Sequence, residues 1–326
     1  MDYDINMFLN PNTRLYLCAM TVPFSNIQLE TTLIGHQQPI FTLAISADQR
    51  SLYTAGNDKG VVEWDLDSMK FKRILCKVNA SVYALTAIPN QNILLIGLRS
   101  GQLLVVDTEK QTLIANLKTE QGAIFAIQVL PQKEEFIAIG EEGYAYVWSL
   151  KTYDLLYRFR VSDTTARVLT LNKDENLLAI GDKKGFVQLL NANDFQQIQI
   201  KQIHELPVTS LSFYREHLYS GGRDAKLFQL TETLEVKQSL VPHMFTVYGI
   251  LHQEQQSYFI TVSRDKSIKI WEEENLSLIK NISKDRGYDS HALSINSALW
   301  ASNRVFTVSD DKSIKVWRLN APQVSQ

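Results

Sequence analysis

Short apolar runs alternate with polar, turn-forming residues along most of the chain, and this pattern predicts short strands rather than helices. Residues 39–78 show it clearly, since the runs PIFTLAIS, SLYTAG, VVEWDL and KFKRILCKV are separated by ADQR, NDKG and DSM. Asp, Asn, Gly and Ser suit tight turns, because they hydrogen-bond to the nearby backbone or tolerate unusual dihedral angles. No segment shows a sustained helical period, so we predict an all-β chain built from units of four strands.

The four-strand unit recurs at a period near forty residues. The phrase RDKSIKIWEE, which begins at residue 264, returns as DDKSIKVWRL at residue 310, and NDKGVVEWDL at residue 57 is a third copy. Weaker copies align on the position of the Trp, which gives seven markers: Trp64, Val106, Trp148, Leu190, Leu230, Trp271 and Trp317. A regular period of this length indicates a repeat architecture that covers nearly the whole chain.

Seven such units predict a seven-bladed propeller, with four antiparallel strands in each blade and a central channel. One blade cannot bury both of its faces, whereas stacking against two neighbours buries them. The seventh unit ends without an outer strand, and the apolar segment from Ile27 to Leu33 precedes the first unit. We therefore predict that this N-terminal segment closes the ring, because an open blade would expose an unpaired edge. The predicted propeller spans 27–320, with an extension at 1–26 and a tail at 321–326.

The repeat resembles the WD-repeat β-propeller family over about residues 27–320. The family's unit opens with Gly-His and closes with Trp-Asp, which stand here at residues 35–36 and 64–65. The resemblance implies that a His, a Ser or Thr, an Asp and the Trp of one unit form a hydrogen-bonded set. It assigns three full sets and one that has Leu230 in place of Trp: His36, Thr54, Asp58 and Trp64; His243, Thr261, Asp265 and Trp271; His291, Thr307, Asp311 and Trp317; and His204, Ser220 and Asp224.

Units two, three and four lack the His and the turn Asp, so we expect another device to hold their turns. Each has a glycine in the equivalent turn, at Gly101, Gly143 and Gly185, which suits a positive φ. The overall resemblance is to stand-alone bacterial WD-repeat proteins without an appended enzyme domain.

Charge and cysteine content limit the classes of partner. The chain of 326 residues has a formal net charge of -2, so no global basic field draws it to nucleic acid or to an anionic membrane. Cys18 and Cys76 make no disulfide framework, and no apolar run is long enough to span a membrane. The first 26 residues do not have the form of a secretory signal. We expect a cytoplasmic monomer that binds neither nucleic acid nor membrane.

Catalytic and cofactor motifs are not found in the sequence. It contains no G-x-S-x-G, no H-E-x-x-H and no phosphate-binding loop. Four of the six histidines recur at one repeat position, which favours a structural role over a metal site. We therefore expect a protein that is not an enzyme and needs no metal or cofactor.

Two columns of the repeat stand out as candidate binding residues. The first lies in the innermost strand, and its aromatic members are Phe41, Tyr83, Phe125 and Tyr248, with Leu169, Thr209 and Asn296 at the other places. The second is the residue immediately before the turn Asp or before the residue that stands in its place. Together with Arg167, this column supplies the cations Arg99, Arg167, Lys183, Arg223 and Arg264, offset by Glu141 and Asp310. The resemblance places both columns near the channel mouth on the top surface.

These columns lead to a functional hypothesis. The aromatic residues would anchor a protein or peptide on the top face, and the cations would favour an acidic partner. The same rings could instead pack between blades. Two other functions stay open: a hydrolase or lyase with residues converging on the channel, and an architectural subunit that binds through its sides or bottom, which outward-facing apolar patches on the outer strands would favour.

Overall fold

The predicted ring of four-stranded sheets is present in the computed structural model, which describes Phe24, residues 26–119 and residues 122–320. These residues form twenty-eight β-strands, numbered β1 to β28 in chain order, and two single-turn 3-10 helices, Pro131–Lys133 and Lys284–Arg286. The strands pair into seven four-stranded sheets. The tail at 321–326 and nearly all of the predicted extension lie outside the described residues.

Each sheet is one blade, and the blades are numbered 1 to 7 from the first complete unit. The innermost strands are β2 (Ile40–Ile45), β6 (Val82–Ala87), β10 (Ile124–Leu130), β14 (Ala166–Leu171), β18 (Val208–Tyr214), β22 (Val247–Leu251) and β26 (Ile295–Ala301). The second strands are β3 (Ser51–Gly56), β7 (Ile93–Leu98), β11 (Glu135–Gly140), β15 (Leu177–Asp182), β19 (His217–Gly222), β23 (Tyr258–Ser263) and β27 (Arg304–Ser309).

The third strands are β4 (Gly60–Asp65), β8 (Gln102–Asp107), β12 (Tyr144–Ser149), β16 (Phe186–Asn191), β20 (Leu227–Leu230), β24 (Ile268–Glu272) and β28 (Ser313–Asn320). The outer strands are β5 (Lys70–Lys77), β9 (Thr112–Lys118), β13 (Leu155–Arg160), β17 (Gln197–Gln202), β21 (Val236–Leu240), β25 (Leu278–Ile282) and, for blade 7, β1 (Asn26–Ile34). The top face is the end of the channel where the innermost strands begin.

The hydrophobic core is divided among the seven boundaries between neighbouring blades. Each of seven buried apolar clusters joins residues of two adjacent blades, and each innermost strand packs against the next around the ring. At the closing boundary, for example, Ile40 and Trp64 of blade 1 pack against Phe306 and Val316 of blade 7. Every blade is thus stabilised by its neighbours, as the repeat pattern predicts.

The ring is closed by the N-terminal strand, and this prediction is confirmed. β1 pairs antiparallel with β28, with Ile27 opposite Leu319 and Leu33 opposite Ile314. A register shift leaves Glu30 unpaired, and its carboxylate accepts hydrogen bonds from Arg304 (2.9 Å) and Arg318 (2.8 Å). These hydrogen bonds and the two positive charges lower the pKa of Glu30 to about 2. Salt bridges from Glu30 to Arg304 and Arg318 therefore stabilise the attachment of β1 to blade 7.

The hydrogen-bonded sets that the resemblance implies are present in blades 1, 5, 6 and 7. In blade 1, the indole N–H of Trp64 donates to Thr54 Oγ1 (2.7 Å), and the Thr54 hydroxyl lies 2.8 Å from His36 Nε2. The other ring nitrogen, Nδ1, lies 2.7 Å from Asp58 Oδ2. Because an ionised Asp58 can only accept, Nδ1 of a neutral His36 carries the proton and donates to it, and Nε2 then accepts from the Thr54 hydroxyl. Blades 6 and 7 repeat this chain, and blade 5 repeats it without the Trp.

The electrostatics of these sets fit a neutral histidine and an ionised aspartate. Burial lowers the pKa of His36 and of His243, because the charged imidazolium would lose hydration. Burial alone would raise the pKa of Asp265, but hydrogen bonds from His243 and Ser267 lower it well below its usual range. Both ring nitrogens of each histidine are occupied by hydrogen bonds within its set, so the sets act as structural elements of the blades.

Turn glycines replace the sets in blades 2, 3 and 4, as expected. Gly101, Gly143 and Gly185 have φ of 81°, 77° and 86°. The blades that have the turn Asp place a residue with a side chain at the same position, also at positive φ: Lys59, Ala225, Lys266 and Lys312. The turn geometry is thus the same in all seven blades, and only the means of holding it differs.

Candidate functional site

A β-bulge near the start of every innermost strand builds the mouth of the channel on the top face. In each blade the pairing with the second strand skips one residue, which leaves that residue outside the ladder. The seven bulged residues are Phe41, Tyr83, Phe125, Arg167, Thr209, Tyr248 and Asn296. All seven are half-buried. We call this set the bulge ring.

Blade 4 contributes Arg167 to the bulge ring, so the expectation that Leu169 holds this place is wrong. The pairing between β14 and β15 skips from Ala166 to Val168, and Leu169 is a buried member of the core between blades 3 and 4. The sequence carries the signal that would have shown this. Phe41, Tyr83, Phe125 and Arg167 follow one another at the same interval of 42 residues as the Trp markers of blades 1 to 4.

Four members of the bulge ring form a continuous arc across blades 1 to 4. The rings of Phe41 and Tyr83 have centroids 5.6 Å apart, and Tyr83 stacks on Phe125 at 5.5 Å with an interplanar angle of 6°. The guanidinium of Arg167 lies over Phe125, 5.0 Å from its centroid. The aromatic rings of blades 1 to 3 therefore contact one another across blade boundaries and still keep an exposed portion.

Two other members of the ring connect neighbouring blades. Thr209 Oγ1 donates to the carbonyl of Val247 (2.7 Å), and Asn296 Nδ2 donates to the carbonyl of Ile40 (2.8 Å). The second bond spans the closing boundary between blades 7 and 1. Because these two side chains already donate hydrogen bonds within the fold, they have fewer free polar groups to bind a partner.

The second predicted column lies directly beside the bulge ring. In all seven blades, the backbone N–H of the column residue donates to the carbonyl two residues before the bulge, at 2.8 to 3.1 Å. Arg99 N–H, for instance, donates to Ser81, and Tyr83 follows two residues later. The side chains of Arg99, Lys183, Arg223 and Arg264 are exposed, and so is that of Glu141. The structure thus brings the two columns together at one end of the channel.

Burial and nearby groups of the channel mouth shift the pKa of Arg167. Burial lowers the pKa of Arg167, and the positive charge of Arg223 lowers it further. Tyr248 and Tyr83 raise the same pKa, so both hydroxyl groups lie within electrostatic range of the guanidinium.

Exposed apolar residues on the top loops of blades 5 to 7 were missed by the sequence reasoning. Met244 and Phe245, in the loop between β21 and β22, are 81% and 53% exposed. Leu206 and Leu293 occupy the corresponding loops before β18 and β26 and are about half exposed. These residues lie in loops of differing sequence, so the repeat alignment could not show them. They extend the apolar surface of the top face.

A second apolar surface lies on the outer strands of blades 3 and 4. Leu155, Leu156 and Tyr157 of β13 and Ile198 and Ile200 of β17 are each about half exposed. A groove of about 900 Å³ runs between the two strands. Its lining includes four apolar and aromatic residues together with three cations: Leu156, Phe159, Leu190, Phe195, Lys133, Arg158 and Arg160.

One arrangement resembles catalytic geometry but lies buried between blades 5 and 6. Ser212 Oγ lies 3.1 Å from His252 Nδ1, and His252 Nε2 lies 3.5 Å from Glu273 Oε2. Stacked aromatic rings enclose His252, which is almost fully buried, and burial lowers its pKa. A base with no access to a substrate does not support catalysis, so we interpret this set as a polar contact between blades.

The described residues hold no group of three or more His, Cys, Asp or Glu side chains that could bind a metal ion. Within the same part of the chain, no helix has the length and apolar character needed to cross a bilayer.

Comparisons with known proteins find the same repeat. The WD40 family (WD domain, G-beta repeat) matches residues 27–65 and 234–272. Eukaryotic translation initiation factor 3 subunit I from Aspergillus oryzae is 24% identical over 190 residues, which cover 53% of this chain and 57% of that protein. An uncharacterized WD repeat-containing protein from Schizosaccharomyces pombe is 21% identical over 291 residues, covering 76% of this chain and 49% of its own length.

A third relative is the transcription factor unc-37 from Caenorhabditis elegans, which is 24% identical over 206 residues (58% of this chain and 33% of that protein). The chain therefore spans about half the length of the curated relatives it matches, or less. All three relatives are eukaryotic, so the expected closeness to bacterial stand-alone proteins finds no support.

Proposed function

Because the chain is a WD-repeat β-propeller, we propose that it is a non-enzymatic scaffold that binds a protein, or a peptide segment of one, on its top face. The relatives with assigned names include a translation initiation factor subunit and a transcription factor, which fits a role in protein assemblies. The proposed partner is acidic, and the propeller binds it as a cytoplasmic monomer.

The observation that supports this function best is the aromatic arc of Phe41, Tyr83 and Phe125 at the channel mouth. Aromatic side chains contribute large contact areas with little loss of side-chain entropy, and they are enriched among residues that dominate binding energy. The rings are fixed by stacking on one another across blades, so little additional order is needed on binding. Exposed cations on the adjacent column add an attraction for acidic groups.

The test compares two double variants of the full chain in capture from native lysate. Phe41→Ala/Tyr248→Ala removes two anchors of the top face, and Leu155→Ala/Ile198→Ala removes exposed apolar groups from the outer strands. All four side chains are at least partly exposed, so both variants are expected to fold. Each anchor should contribute roughly 2 kcal/mol, about a thirtyfold change in Kd.

The expected result is that the top-face variant loses proteins that the wild type and the outer-strand variant both capture. Circular dichroism and melting temperature of each variant provide the folding control. An unchanged set of proteins captured by the folded top-face variant would contradict the proposal.

The outer strands support a second candidate function, that of an architectural subunit bound through its side. The specific observation is the apolar surface of β13 and β17 with the groove between them. Exposed apolar surface of this extent is typical of sites for macromolecular contact. Selective loss of captured proteins by the outer-strand variant would favour this candidate over the top face.

A further inference from the structure

We propose that Arg167 binds a carboxylate of the partner, supplied by an Asp or Glu side chain that enters the channel mouth. The inference rests on the proposed top-face function and adds the chemical group that the face selects. It assigns the preference for an acidic side chain to Arg167 alone. Attraction by net charge would instead involve all the exposed cations around the channel mouth.

The first line of support is that the guanidinium of Arg167 has no partner for its N–H groups. Across residues 26–119 and 122–320, it forms neither an ion pair nor a hydrogen bond. Other partly buried cations are paired: Arg73 lies 2.6 Å from Glu63, Arg304 lies 2.9 Å from Glu30, and Lys315 lies 3.0 Å from Asp289. A half-buried cation without a counter-ion loses hydration, and the Phe125 ring compensates for this loss only in part, so a bound anion would add the missing interaction.

The second line of support is the contact of the guanidinium with Phe125. Its Cζ lies over the aromatic ring, 5.0 Å from the centroid, and this ring is itself stacked on Tyr83. The contact holds the cation at the channel mouth without supplying an acceptor oxygen for its N–H groups. A carboxylate offers two acceptor oxygens that match a guanidinium bidentately.

The neighbouring groups suit an anion that is carried by a peptide. Arg223 adds a second positive charge within electrostatic range of Arg167. The flat rings of Phe41, Tyr83 and Phe125 extend away from the guanidinium along one side of the mouth. An acidic residue next to an aromatic or aliphatic residue would contact both parts of this surface.

The experiment pans a phage library of random nine-residue peptides on the wild type and on three variants of the full chain. Arg167→Gln removes the proposed ligand. Arg215→Gln is the matched control: it removes an exposed arginine that also lies over an aromatic ring, Tyr214 (4.9 Å), but in the turn between β18 and β19 at the end opposite the top face. Phe41→Ala/Tyr248→Ala tests the top face as a whole. Enriched sequences are then made as matched peptides with Glu, Gln or phosphoserine at the selected position, and Kd is measured by fluorescence anisotropy.

The expected result is enrichment of Asp or Glu on the wild type and on Arg215→Gln, and its loss on Arg167→Gln. The Glu peptide should bind about tenfold or more tightly than the Gln peptide, and Arg167→Gln should abolish this difference. The melting temperature of Arg167→Gln should equal or exceed that of the wild type, because an uncompensated cation is removed. A merely structural role would lower it.

Other outcomes separate this inference from the proposed function. Peptides that bind through Phe41 and Tyr248 without acidic preference would overturn the role of Arg167 and leave the top-face function standing. A preference for phosphoserine over Glu would overturn the carboxylate assignment. Enrichment of no peptide, or of peptides indifferent to all three variants, would overturn both proposals.

Discussion

Single residues hold the same turn in two different ways. The residue after the turn Asp adopts a positive φ in blades 1, 5, 6 and 7, although Lys or Ala is unfavourable there. The Asp fixes the turn through its hydrogen bonds, as Asp265 does with the backbone N–H groups of Met244 and Ser267. In blades 2, 3 and 4, glycine removes the steric penalty instead.

Replacing Gly185 by Ala should therefore destabilise the propeller strongly. Gly185 has φ of +86°, and an added Cβ would lie 2.0 Å from the carbonyl oxygen of His204. We expect a loss of about 2 to 4 kcal/mol in the free energy of unfolding, measured by urea denaturation. Ala225→Gly is the matched control at the same position of blade 5, where φ is 64°, and it should change stability by less than about 1 kcal/mol. Equal effects of the two changes would refute this account.

Among the strands, β1 has the longest sequence separation from its partner. It pairs with β28 almost three hundred residues away, and its apolar residues Ile27 and Leu33 are buried in the cores of two blade boundaries. The strand thus contributes backbone pairing, apolar burial and the Glu30 salt bridge to one blade.

Removing β1 should lower the melting temperature sharply, whereas a shorter deletion should not. Deleting residues 1–34 removes the outer strand of blade 7 and exposes the edge of β28, so we expect a drop on the order of 10 °C or more. Deleting residues 1–20 leaves β1 in place and should have little effect. Differential scanning calorimetry of both chains provides the test, and similar melting temperatures would contradict the role assigned to β1.

Glu30 should make the attachment of β1 dependent on pH. Its pKa in the folded protein is about 2, below the usual 4.5, so the ionised form stabilises the fold fully above about pH 4.5. This contribution is lost as pH falls from about 4.5 toward 2. We expect Glu30→Gln to cost roughly 1 to 2 kcal/mol at neutral pH, since solvent screens part of the pair.

The measurement is urea denaturation of the wild type and Glu30→Gln at about pH 7 and about pH 3. The difference in unfolding free energy between the two proteins should shrink at the lower pH, because the carboxylate of the wild type becomes protonated on unfolding. A difference that is constant with pH would show that Glu30 acts through packing rather than charge.

For the whole molecule, the architecture was predictable because periodicity determines it. Blade number, strand number and the strand that closes the ring follow from the recurring position of Trp64 and its equivalents and from the missing outer strand of the last unit. The resemblance to the WD-repeat family implied the His, Thr and Asp partners of Trp64, and the recurrence of the His at one repeat position agrees with that assignment.

The candidate site was less predictable, because it depends on features that do not follow the repeat. Arg167 was not recognised as a member of the bulge ring, since a bulge shifts residues between the two faces of a strand and an apolar pattern alone favoured Leu169. Met244 and Phe245 lie in a loop whose sequence differs from that of the corresponding loops in the other blades. Side-chain contacts across blades, such as Tyr83 with Phe125, require the ring geometry itself.

The pairing of β1 with β28 also sets the order of events during synthesis. A nascent chain on the ribosome exposes β1 first, but its partner strand is translated almost three hundred residues later. Ile27, Leu29 and Leu33 must therefore stay exposed to solvent, or be bound by another molecule, until blade 7 is available to bury them. The last step of folding is thus the meeting of the two ends of the propeller, and it cannot begin until β28 has left the exit tunnel.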